Sequence, residues 1–218
     1  GILDLAAQYG PEEVRAICMA HQADHPGFEV PVSIMEGRLA EFRGNVTIER
    51  DDDVAIVMVR RPEVRNALNG RTLSEIDSAM REIDADATIS GVVLTGFGGA
   101  LAGADIGELA AVPNASEAEA LCHREHAIAA FIAQMQKPVV AAVDGPVLGG
   151  GAELAMSCHG RVVGKKLMLG QPEVNLGIIP GYGGTQRLPR LIGLKKALHM
   201  MRTGAPIGAV EACSAGWA

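Results

Sequence analysis

Leu148-Gly149-Gly150-Gly151-Ala152-Glu153-Leu154-Ala155 decides how this 218-residue chain is read. It follows the apolar run Pro138-Val139-Val140-Ala141-Ala142-Val143, which reads as a buried strand, with Asp144-Gly145 as the turn between them. A strand that ends in glycines and leads into a helix bares backbone N–H groups that have no intrahelical partner. The helix dipole adds partial positive charge at the same place. An enolate or other oxyanion can lie there against Gly150 N–H. The same glycines also serve a plain tight turn, with Glu153 complementing the dipole, and this motif alone leaves both readings open.

Working outward, the neighbouring segments repeat the pattern of strand followed by helix. Val46-Thr47-Ile48-Glu49-Arg50 and Val54-Ala55-Ile56-Val57-Met58-Val59 read as strands joined by an Asp51-Asp52-Asp53 turn. Thr72-Leu73-Ser74-Glu75 has the form of a capping box, and Leu73, Ile76, Met80 and Ile83 then recur at helical spacing. Val92-Val93-Leu94-Thr95 is a buried strand ending in Gly96. A further helix is expected from about Glu117 to Met135, with Leu121, Ile128, Ile132 and Met135 inward. The alternation indicates an α/β chain.

Two more segments carry polar groups of chemical interest. Leu101-Ala102-Gly103-Ala104-Asp105-Ile106 is a loop of small side chains that lets a ligand approach the backbone, so Ala104 N–H is a partner for Gly150 N–H. Read by itself it is also an ordinary loop, with Asp105 as the N-cap of a following turn. Gly170-Gln171-Pro172-Glu173 sets a carboxylate just before the apolar Val174-Asn175-Leu176-Gly177-Ile178-Ile179. Apolar surroundings disfavour the charged form, so Glu173 is a carboxyl that can hold a proton near neutral pH. Paired with Glu153, it suits general acid–base work. His123 and His126 lie three apart on one helix face without a convincing further ligand, and Cys158-His159 are adjacent without being thereby a dyad. Arg60, Arg61 and Arg65 form a small basic cluster, open to a ligand phosphate or to solvent.

Composition narrows the function classes. A chain of this length that is 48% hydrophobic buries a substantial core. The net charge of −7 and the lack of a basic stripe argue against a nucleic-acid partner. No stretch approaches about eighteen unbroken apolar residues, so no membrane partner is expected. Cys18, Cys122, Cys158 and Cys213 lack metal or redox spacing and read as reduced thiols of a cytoplasmic protein. The glycine-rich stretches match neither a P-loop nor a dinucleotide fingerprint. Residues 1–44 hold seven acidic and three basic residues, with His25-Pro26-Gly27 and Val30-Pro31 breaking regular structure after a short helix expected at Pro11–Met19. They read as a connector or the end of a preceding domain, and residues 45–218 as the main domain. The start at Gly1, with no initiator methionine, suggests a piece of something longer.

Five segments taken together resemble the crotonase superfamily, enoyl-CoA hydratase in particular. They are Arg61-Pro62-Glu63-Val64-Arg65-Asn66-Ala67-Leu68-Asn69, Ala102-Gly103-Ala104-Asp105-Ile106, Lys137 through Gly145, Leu148 through Ala155, and Gly170 through Glu173 with Gly183-Gly184-Thr185-Gln186-Arg187-Leu188. Their order and spacing across residues 45–217 make the resemblance specific. It implies a spiral of ββα units that binds acyl-CoA, usually as a homotrimer or hexamer. It also implies Ala104 and Gly150 as the oxyanion-hole donors, Ala102, Ala104, Asp105, Ile106, Gly107 and Gly150 as substrate contacts, and Glu153 and Glu173 as the catalytic pair. Neither metal nor redox cofactor is implied, coenzyme A being part of the substrate. Retention of both glutamates favours hydration over isomerisation or thioester hydrolysis; another acyl-CoA lyase, a cyclic dienoyl-CoA hydratase and a non-catalytic acyl-CoA-binding fragment are the alternatives. Gly107 stands where the family often has a basic residue, and Met156-Ser157-Cys158-His159 departs from its usual Met-Cys-Asp. Family members continue beyond position 218 with helices that close the acyl pocket, so the helical C-terminal part is expected to be truncated.

Overall fold

The protein is described by a computed structural model covering residues 44–218. The short helix at Pro11–Met19, the connector reading of residues 1–43 and Cys18 lie outside the described residues. Val46–Ala218 form one compact unit.

The unit begins with a hairpin. Strand β1 (Val46–Asp51) pairs antiparallel with β2 (Val54–Val59), and Asp52 takes a left-handed φ of 51° in the turn between them. Alternate residues of β2, Ala55, Val57 and Val59, are fully buried, as the period of a half-buried strand requires. Helix α1 (Gly70–Ala85) follows and turns Leu73, Ile76, Met80 and Ile83 into the core. Its cap differs from the expected box. The helix starts three residues earlier, and Asn69 caps it by accepting from Thr72 N–H at 2.8 Å. Glu75 instead accepts from Val46 N–H at 3.0 Å, tying the helix to the edge strand. Asn is at least as good an N-cap as Thr, and it came first.

Strand β3 (Gly91–Gly96) lies parallel to β2. A short helix α2 (Ile106–Ala110) and the long α3 (Ala115–Gln134) come next. Strand β4 (Val139–Val143) pairs parallel with β3. The chain then crosses to a second sheet with β5 (Pro146–Leu148), enters helix α4 (Gly150–Ser157), and returns to the first sheet with β6 (Gly160–Val163). Strand β7 (Met168–Gly170) lies beside β5, and a 3₁₀ turn (Glu173–Leu176) follows it. Helices α5 (Gly184–Ile192) and α6 (Leu194–Thr203), the short strand β8 (Ile207–Gly208) and helix α7 (Ala209–Ser214) complete the described residues.

The sheets run in the orders β1-β2-β3-β4-β6 and β5-β7-β8. From β4 to β7 the chain alternates between the two sheets, and parallel bridges Leu68–Ala104 and Leu101–Val147 add isolated pairings in the loops. The site residues lie just past strand ends: Ala104 in the loop after β3, Gly150 and Glu153 on the first turn of the helix after β5, and Glu173 at the start of the 3₁₀ turn after β7.

Candidate active site

Helix α4 presents its N-terminus because of two glycines. Gly149 takes φ 48° and ψ −125°, a backbone state costly for any residue with a side chain. Gly151 packs so tightly that a β-carbon there would lie 2.1 Å from Leu101 O. This contact brings the Leu101–Asp105 loop against the helix start, and a β-carbon built on Gly150 would stand 3.6 Å from Ala104 N. Among the described residues neither Ala104 N–H nor Gly150 N–H donates a hydrogen bond. Two backbone donors without an acceptor among the described residues thus lie close together beside a helix N-terminus.

The loop is pinned from below by Asn66, which the sequence reading quoted without giving it a task. Its side chain is buried and donates to Phe97 O at 2.8 Å and Ala100 O at 2.9 Å, while accepting from Arg61 N–H. Arg61 bonds Ala67 O and, at 3.0 Å, Asp105 Oδ2. Asp105 also caps α2, accepting from Gly107 N–H at 3.1 Å. That hydrogen bond from Arg61 is the main reason its carboxyl titrates below the usual range. Arg61 and Asp105 therefore buttress the loop. Arg60 stacks on Phe97, 4.5 Å from the ring centre.

Glu153, on the first turn of α4, is 2% exposed. Its Oε1 accepts from Tyr182 N–H at 2.9 Å and Gly184 N–H at 2.6 Å. Burial nonetheless pushes its pKa up to about 7, with the Glu173 charge adding to the rise and those two N–H groups opposing it. Glu173 opens the 3₁₀ turn, is 8% exposed, and is raised by burial too. Its Oε2 accepts no hydrogen bond from a described residue. Both glutamates, Ala104, Asp105 and Gly150 line a single cavity of about 440 Å³ whose walls include Leu68, Leu109, Val112 and Ile179. Ala102, Ile106 and Gly107 do not line it. Ile106 is exposed and Gly107 serves the α2 cap.

Tyr182 and Glu125 are among the cavity residues that no sequence motif singles out. Tyr182 packs over the helix start, and burial drives its hydroxyl far above its ordinary acidity range. Glu125, on α3, is a further carboxyl of the cavity, pushed up to about 7 by burial. An acidic residue set between Arg124 and His126 on a helix carries no signal that distinguishes a cavity wall from a solvated face. Conversely, Cys158 and His159 do not form a dyad. The Cys158 thiol is buried, bonds Leu154 O and is pushed up to about 12, whereas His159 Nδ1 accepts from Val139 N–H at 3.0 Å. His123 is exposed beside Glu119, and among the described residues no group of three or more His, Cys, Asp or Glu converges as a metal site. Likewise, no helix among them is long and apolar enough to cross a membrane.

Residues 49–217 match the family described as enoyl-CoA hydratase/isomerase. Over 174 residues the chain is 43% identical to a short-chain-enoyl-CoA hydratase of Clostridium acetobutylicum, covering 79% of this chain and 66% of that protein. It is 47% identical over 172 residues to the fatty acid oxidation complex subunit alpha of Shewanella frigidimarina, covering 77% of this chain and 24% of that one. The crystal structure of an enoyl-CoA hydratase from Thermoplasma volcanium superposes with a TM-score of 0.77 at 34% identity, covering 80% of this chain and 71% of that chain. The matched region is thus about two thirds of the first relative's length and about a quarter of the second's.

Proposed function

We propose, from the premise that this chain belongs to the enoyl-CoA hydratase/isomerase family, that its cavity adds water to 2-enoyl thioesters of coenzyme A. The crotonase-like fold expected from the sequence is the fold found. The observation that supports the reaction is the convergence of two buried carboxyls and two unpartnered backbone donors on one cavity.

In this reading the thioester oxygen accepts from Ala104 N–H and Gly150 N–H. Polarising that carbonyl makes C3 electrophilic and stabilises the enolate charge that develops when C3 is attacked. Two carboxyls facing each other in a desolvated site share protons, since the charge on each disfavours charge on the other. Glu153, held by Tyr182 N–H and Gly184 N–H, acts as the carboxylate that takes a proton from water as its oxygen bonds to C3. Glu173, in its acid form, delivers a proton to C2. A proton passed from Glu153 to Glu173 restores the pair. The product is the 3-hydroxyacyl thioester, and atoms balance with water alone added. In the whole protein we place this activity in fatty acyl breakdown in the cytoplasm, on a homotrimeric or hexameric assembly.

The test is the loss of ultraviolet absorbance of crotonyl-CoA on adding the chain, with Glu173→Gln as control. Loss with the wild type and a drop of about 10²–10⁴-fold in the variant is the expected result. Equal rates in the two proteins would overturn the role of Glu173.

A further inference from the structure

The catalytic cavity does not end at the catalytic pair. A second cavity of about 350 Å³ lies along the seam between α1 and α3, where Ser74, Asp77 and Arg81 of α1 face Arg124, Ala127 and Ile128 of α3. The two cavities have four lining residues in common: Gly70 and Leu73 on α1, Leu121 and Glu125 on α3. These residues form the neck between the cavities. Leu73 is buried and belongs to the core, and Gly70 has no side chain. Of the two that remain, Glu125 alone puts a polar group into the neck.

No hydrogen bond holds that group. No described residue donates to the Glu125 carboxyl, and burial raises its pKa to about 7 against the opposing charge of Arg124. Its charge reaches Glu153 and Tyr182, raising the pKa of both, so the neck lies within a short distance of the chemistry. A hydrocarbon chain extending from the catalytic pair along the seam must push this carboxyl aside or strip its remaining water. Both are unfavourable, because an unpaired polar group loses its last solvation to an apolar neighbour. Beyond the neck the chain would meet the Asp77–Arg81 ion pair, whose Asp77 Oδ1 is buried without a partner, and no fully apolar wall.

We propose that Glu125 is the chain-length stop of this site: its carboxyl partitions two cavities that would otherwise form one acyl channel, and it restricts the protein to 2-enoyl thioesters with short acyl groups. The inference rests on the acyl-CoA reading of the cavity. It assigns Glu125 a specificity-determining role and no part in the proton transfers.

Binding of saturated thioesters separates this from turnover. Butyryl-CoA and octanoyl-CoA are titrated calorimetrically into the full chain as wild type, Glu125→Gln and Glu125→Ala. The wild type should bind butyryl-CoA at least about tenfold more tightly than octanoyl-CoA, against the usual trend in which each added methylene strengthens apolar binding. Glu125→Gln, which keeps the bulk and a polar head, should keep that preference, and Glu125→Ala should abolish or reverse it. Octanoyl-CoA binding to the wild type as tightly as butyryl-CoA would overturn the stop while leaving the acyl-CoA reading intact. So would an unchanged preference in Glu125→Ala. Binding of neither thioester would overturn the acyl-CoA reading itself.

Discussion

Helix α3 passes through two environments, and the contrast between its halves summarises how this molecule is built. Its second half sets Ile128, Ala129 and Ile132 into the core, each at most 8% exposed, with Met135 completing the stripe just past the helix end. Its first half carries Ala115, Ala118, Leu121, Cys122 and Glu125 along the wall of the cavity. Leu121 was expected among the core residues; it is only half-buried, because it faces the cavity space that the core residues lack. In one half, Ala129 and Ile132 are fully buried among the apolar side chains of the core. In the other, space is kept open and a carboxyl is held in it against its own solvation. The second environment opposes stability, as sites for chemistry commonly do.

Substitutions should separate the two environments, starting with the largest effect. Glu153→Gln removes the proton acceptor but retains the amide oxygen that Tyr182 N–H and Gly184 N–H bond. Turnover of crotonyl-CoA should fall by about 10²–10⁴-fold, while the thermal midpoint at pH 8 should hold or rise. A fall in the midpoint alongside the lost turnover would mean that Glu153 supports the fold as the core residues do.

Within α3 itself, Ile132→Ala should cost about 2–5 kcal/mol in denaturant unfolding, since it leaves a void among fully buried neighbours. Leu121→Ala, four residues short of Glu125, should cost less than about 1 kcal/mol because it only enlarges a space that exists already. Equal losses would erase the distinction between the halves.

A further expected effect is a pH dependence of stability. Glu125 has a pKa of about 7 in the folded protein against an ordinary 4.5, so the folded state binds the proton that the unfolded chain has lost. The sign follows from linkage: its contribution is fully present below about pH 4.5 and is lost as pH rises through about 7. Relative to the wild type, Glu125→Gln should therefore gain stability at pH 8 and match it at pH 4. A gain confined to pH 4, or none at either pH, would show that the carboxyl is solvated.

Much of this architecture is legible along the chain. The β-branched runs Val54–Val59 and Val139–Val143, and the spacing of Leu73, Ile76, Met80 and Ile83, announce their elements, because burial on one face leaves a period that residue types display. Glu153 and Glu173 were visible as candidates since each stands beside glycines or apolar residues that a solvated carboxylate does not need. The cap of α1 was misread because two residues, Asn69 and Thr72, both have capping chemistry, and only the path of the chain out of the Leu68 bridge chooses between them.

Sequence by itself determined the alternation of strand and helix, the glycines that allow helix α4 to meet the Leu101 loop, and the presence of two carboxyls in apolar settings. Those properties are local, written in side-chain period, turn chemistry and immediate neighbours. Tertiary structure alone decided that Ala104, Gly150 and both glutamates line the same cavity, that Arg61 and Asp105 pair beside it, and that Glu125 lines both it and its neighbour. Those properties depend on residues dozens of positions apart being brought within a few ångströms, and on which face of a helix is left without a packing partner.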